Sequence, residues 1–180
     1  PFLPWNFFLA LVPYPFALMA ASLNVRFPRY WFLLIVPSAI WLAFFPNASY
    51  LVTDLVHLRH HYSVTIWQDT IALVAAVWTG LFLAVFSLRM MQNVVRDYAG
   101  NIISWGFVFL VLLLNATGVY LGRFFRFNSW DLLFYPDHIV EVSISVWRST
   151  LNYPIAFGFL SQMTVFMLIC YITMTGGRQH

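Results

Sequence analysis

The chain has 180 residues, 62% hydrophobic, 20% aromatic and only 8% charged, and its nine basic and six acidic residues leave a net charge of +3. Soluble domains carry about a quarter charged residues. So few charges cannot give a fold of this size a polar coat, and lipid is the expected solvent for most of its exterior. The charge is too small to point to nucleic acid. Every basic residue is arginine, a side chain that snorkels to headgroups and pairs readily with phosphate or carboxylate. The single Cys170 excludes an internal disulfide or a cysteine metal cluster, and it reads as a small core hydrophobe. Because the chain opens on Pro1, residues upstream of it are expected.

The pattern predicts an all-α integral membrane fold, a single polytopic domain over 1–180 with about five transmembrane helices. The first span is 5–23, long enough for a bilayer and kinked by Pro13 and Pro15. The second is 30–45, ended by Pro46 and short enough to demand a course near the bilayer normal. The third covers 67–91, the fourth 102–121 and the fifth 154–175. The link 122–153 is too polar to cross and too long for a turn, so it belongs at the interface. Within it, 139–147 alternates at the period of a strand. An open strand edge is not tolerated in lipid, which leaves a piece packed on the protein at headgroup level or a distorted interfacial helix.

Five spans put the second and fourth links on one face of the membrane, so 44–69 and 122–131 can meet. The arginine count favours the non-cytoplasmic face for both.

The first of these segments reads FFPNASYLVTDLVHLRHH, an apolar run that ends in dense polar residues. If it is helical, Asp54, His57 and His61 share one stripe and could bind a divalent metal with a position left open for water. His60 points elsewhere. The plainer alternative is a cap from Asp54 or Thr53, with the histidines solvated among headgroups. Asp69, just inside the third span, needs a partner at that depth or serves the helix dipole as a first-turn acid.

The second segment, NATGVYLGRFFRFNSWD, places Asn115, Gly118 and Gly122 on one helical face, where another helix can approach closely and Asn115 can hydrogen-bond across. Arg123 and Arg126 either reach lipid phosphate or neutralise Asp54, Asp69 or Asp131. Asn128 with Asp131 reads as a helix N-cap and its third-position acid. His138 and Glu141 read as a solvated face, and Tyr120, Trp130 and Tyr135 as an aromatic belt.

These stretches carry a resemblance. FFPNASYLVTDLVHL, the WQD of Trp67 to Asp69, the WTG of Trp78 to Gly80, the SL of Ser87 and Leu88, and GVYLGRFFRFNSWD resemble the bacterial membrane family called domain of unknown function thirteen sixty-one. The chain departs from the family pattern at Ser49, where proline is usual, and in the strand-like link. The resemblance implies a multi-pass fold in a bacterial inner (cytoplasmic) membrane. It also implies a characteristic polar set of Asn47, Tyr50, Thr53, Asp54, His57, Asp69, Arg123, Arg126, Asn128 and Asp131. It implies no activity.

Two functional classes are therefore expected. In the first the chain is an accessory subunit or lipid-binding module of a membrane assembly, with Asn47, Tyr50, Thr53 and Asn128 as a structural polar cluster and Arg123 and Arg126 as lipid or anion ligands. Its partners are then membrane lipids and other membrane subunits. In the second it is an intramembrane metal-dependent hydrolase or transferase acting on a lipid, with Asp54, His57, Asp69 and Asp131 as catalytic candidates.

Overall fold

The computed structural model describes residues 2–55, 66–128, 131–150 and 154–176. Among these residues the chain forms helices α1 (Phe2–Leu11), α2 (Pro13–Arg26), α3 (Ile35–Thr53), α4 (Ile66–Tyr120), α5 (Asp131–Phe134), α6 (Pro136–Thr150) and α7 (Pro154–Gly176). A 3-10 turn, Trp31–Leu34, leads into α3, and a π turn, Leu121–Phe125, closes α4. Four helical stretches are long and apolar enough to cross a membrane: Pro4–Arg26, Trp31–Thr53, Thr70–Phe125 and Ile155–Gly176. The chain is an integral membrane protein.

The prolines act according to their position. Pro13 starts α2, where its missing N–H would have had no intrahelical partner, so α1 ends at Leu11 and the first crossing stretch bends there. Pro15 falls in the same first turn and is absorbed without a further break. Pro46 corrects the sequence reading. It lies inside α3, which continues to Thr53. Neighbouring groups commonly re-satisfy the backbone carbonyl that a membrane proline frees, and α3 stays helical on both sides of Pro46. With the 3-10 turn included, the second crossing stretch reaches 23 residues and is no longer short.

The third and fourth predicted spans lie on one 55-residue helical stretch, α4, interrupted at Gly100, where φ is 81° and ψ is 177°. A straight helix of that length would be about 80 Å long at 1.5 Å per residue. Yet residues on either side of Gly100 share neighbours. Gly80 abuts Ala48 of α3 and Gly118 abuts Pro46 of the same helix. Gln92 and Trp105 both meet Tyr171 of α7. The chain therefore folds back at Gly100, the one described glycine with a positive φ. Glycine suits this conformation because other residues almost never adopt it.

The core runs along α3. Trp41, Phe45, Ala48 and Leu51 are buried, packed with Leu81, Ala84, Val85, Val111, Leu112, Ala116 and Val119 of α4. Ala10, Ala17 and Ala20 give α1 and α2 a thin buried face that lets them lie close to their neighbours. The outside is apolar as well: Trp67, Ile102, Ile155 and Phe157 are each more than half exposed, as expected of surfaces solvated by lipid.

The strand-like pattern at 139–147 folds as the helix α6. A second period hides in the same residues. Ile139, Val142 and Val146 recur at three and four residues and pack on the core, while Asp137, Glu141 and Arg148 face outward. The serine hydroxyls that suggested alternation bond to the helix's own carbonyls, Ser143 to Ile139 at 2.6 Å and Ser145 to Val142 at 2.8 Å.

Candidate functional site

The C-terminal ends of α3 and α4 converge. Gly118 touches the Pro46 ring and Gly122 the Tyr50 ring, so the small-residue face of α4 receives α3, and the Ser49 hydroxyl donates to Asn115 Oδ1 at 2.5 Å. Ser49 is fully buried. Proline at 49 could not make this bond.

One turn further on, Arg123 reaches back to α3. Its Nη1 lies 3.2 Å from Asp54 Oδ1 and donates to the Tyr50 hydroxyl at 3.4 Å, and its Nη2 donates to the Thr53 carbonyl at 3.1 Å. The guanidinium also stands over the Tyr50 ring at 5.7 Å. The other carboxylate oxygen, Asp54 Oδ2, accepts from Asn6 Nδ2 at 3.1 Å. Asp54 is buried, and both its oxygens are occupied. Of the two readings of the arginine pair, Arg123 thus takes the neutralising one, with Asp54 as its acid. The Thr53 hydroxyl donates to the Tyr50 carbonyl at 2.6 Å, and a helix for Thr53 or Asp54 to cap would lie outside the described residues.

Arg126 behaves differently. It takes the left-handed conformation, φ 60° and ψ 28°, and closes the π turn through its backbone N–H to the Leu121 carbonyl. Its side chain is exposed and has no hydrogen bond or ion pair among the described residues. At Asn128 and Asp131 the acid's half of the expected cap is in place: the Asn128 N–H donates to Asp131 Oδ2 at 2.7 Å, and the Asp131 N–H to the Asn128 carbonyl at 3.0 Å. His138 and Glu141 are exposed, with His138 edge-on to Phe127 at 5.4 Å. His57, His60, His61 and Trp130, and the side chain of Asp69, lie outside the described residues. Among the described residues no three His, Cys, Asp or Glu side chains gather as a metal site.

Below this polar knot lies a cavity of about 890 Å³. Its walls are Trp5 and Leu9 from α1, Leu42 and Phe45 from α3, Leu114 and Leu121 from the end of α4, Phe127, and Ile139 and Trp147 from α6. Asn47, Tyr50, Asn115, Arg123 and Arg126 also line it, so apolar walls are combined with amides, a phenol and two guanidinium groups. Volumes of a few hundred to about 1,000 Å³ are typical of sites for drug-sized ligands.

The family question is settled by the whole-chain comparison. The model for the protein family of unknown function DUF1361 matches residues 5–172. The chain belongs to the DUF1361 family. No curated protein and no solved structure matches it. Within this DUF1361 chain, the motif residues Tyr50, Thr53, Asp54 and Arg123 form one bonded group, and Asn128 and Asp131 form a second.

Asn6 is the site residue that sequence reasoning missed. It had a signal: Asn6 and Asn24 are the amides of the first crossing stretch, and an amide in an apolar run needs a partner. Both find an acid, Asn6 at Asp54 and Asn24 at Asp97, the latter at 2.7 Å and at the other end of the same stretch.

Proposed function

We propose that this chain crosses the membrane five times, with the two limbs of α4 on either side of Gly100 as separate crossings, and that it binds an anionic membrane lipid as a lipid-binding module or accessory subunit of a membrane assembly. The observation that carries this reading is the cavity. It offers apolar walls for an acyl chain and an arginine whose charge is not spent on an acid among the described residues. Arg123 builds the rim and Arg126 meets the ligand. A guanidinium suits a phosphate because its fork donates two parallel hydrogen bonds. The helix α6 lies along the interface, its apolar face closing one side of the cavity, and the end bearing Asp54, Arg123 and Arg126 faces the non-cytoplasmic leaflet.

Native mass spectrometry of the protein extracted in mild detergent tests this. One anionic phospholipid should stay bound per chain, and Arg126→Gln should lose most of it while keeping the fold. Retention of no lipid, or of zwitterionic and anionic lipids alike, would overturn the proposal.

A further inference from the structure

The helix α7 carries two opposite stripes. Ala156, Leu160, Met163, Met167 and Tyr171 are buried against the rest of the chain. On the far side Ile155, Gly158, Gln162, Val165, Ile169 and Ile172 follow one another at steps of three and four residues, and all but the half-buried Gly158 are exposed. That is the period of a left-handed seam between two helices. Lipid would accept such a stripe were it not for Gln162.

At 1.5 Å per residue Gln162 lies about 10 Å along the helix from Ile155 and about 21 Å from Gly176, within the hydrocarbon layer. Exposed hydroxyls on the crossing helices bond to carbonyls of their own helix, Thr79 to Ala75 at 2.8 Å and Thr173 to Ile169 at 2.8 Å. The exposed Gln162 amide has no hydrogen-bond partner among the described residues. Acyl chains offer it none, and an unpaired amide in hydrocarbon is costly. Gly158 stands one turn away on the same stripe. A Cβ there would meet nothing within 4 Å, so the backbone of another helix has room to come close.

We propose that α7 pairs with α7 of a second copy of this chain, in a parallel, twofold-symmetric dimer whose two Gln162 amides bond to each other across the axis. Copies of one chain insert in the same direction, so a twofold axis along the membrane normal sets the two α7 helices parallel and brings each seam residue opposite itself. A carboxamide suits that position because it both donates and accepts, and two of them satisfy each other where two like charges would repel. No described α7 residue lines the cavity, so the dimer does not depend on the lipid reading.

Sedimentation equilibrium of the full chain in density-matched detergent tests this. The wild-type protein should form a dimer, and Gln162→Leu should weaken it about tenfold, the effect of one strong hydrogen bond between membrane helices. Gly158→Leu should abolish the dimer by filling the space between the backbones, at a position where a Cβ has room in its own chain. A wild-type monomer at every concentration overturns the proposal. A monomer that carries a different membrane protein in equal amount overturns it in favour of that partner. A dimer as tight in Gln162→Leu as in the wild-type protein overturns it too, since the contact would then lie elsewhere. The wild-type measurement needs no variant to fold, and Gln162→Leu replaces an exposed amide by a side chain that suits lipid.

Discussion

Gly118 lies so close to Pro46 that a Cβ on residue 118 would stand 2.6 Å from the proline Cγ. The ring is rigid and embedded in α3, so it cannot swing aside. Gly118→Ala should therefore push α3 and α4 apart and cost about 1–3 kcal/mol, the usual range for overpacking. Thermal unfolding in detergent should show it. By contrast Gly106, whose Cβ would meet nothing within 4 Å, should accept alanine without loss.

Gly100→Ala should destabilise by a different route. A Cβ at Gly100 would also meet nothing within 4 Å, so any cost comes from the backbone alone. At φ 81° and ψ 177° that cost is of the order of 1–3 kcal/mol for a residue other than glycine. Unfolding of Gly100→Ala and Gly106→Ala side by side, both on α4, separates the two cases. Equal stabilities would contradict the hairpin.

Removing Arg123 should be costly because Asp54 would stay behind, 11% exposed in its side chain and with only Asn6 as a partner among the described residues. Breaking a buried ion pair from one side costs about 3–5 kcal/mol. The lower end of that range applies to Arg123→Ala, since the Arg123 side chain is 21% exposed. Asp54→Asn in the same chain should recover part of the loss by removing the stranded charge. Strict additivity of the two substitutions in a double-mutant cycle would mean that the pair contributes nothing as a pair.

Between α4 and α7, Gln92 Oε1 accepts both the Tyr171 hydroxyl and Arg89 Nη1, the latter at 2.9 Å. Tyr171→Phe leaves the oxygen bonded to Arg89 and should cost only about 1 kcal/mol. Gln92→Leu takes the buried acceptor away from both donors, and the expected cost rises to about 1–3 kcal/mol. Chemical denaturation of the two variants should rank them in that order.

Much of this arrangement was legible in the residues, and the exceptions have physical causes. Apolar length located the crossing stretches, and the cost of an unpaired charge in lipid pointed to an acid for Arg123. The small-residue spacing of Asn115, Gly118 and Gly122 foretold a close helix contact without naming the partner, which is α3. Pro46 misled because its effect on a helix depends on which neighbours can serve the freed backbone groups, and no period in the sequence reveals those neighbours. In α6 two periods overlay one another, and only the core decided between them. The cavity was invisible for a related reason: its walls come from α1, α3, α4 and α6, which no single stretch of sequence brings together.

Arg123 spreads one planar group over a carboxylate, a main-chain oxygen and a phenol, all on the last turns of α3. An ammonium carries its charge on a single nitrogen and could not span the three at once. A chain without a single lysine has, at this position at least, a mechanical reason for it. The residue works as a rivet, and Arg123→Lys would keep the charge while loosening the joint.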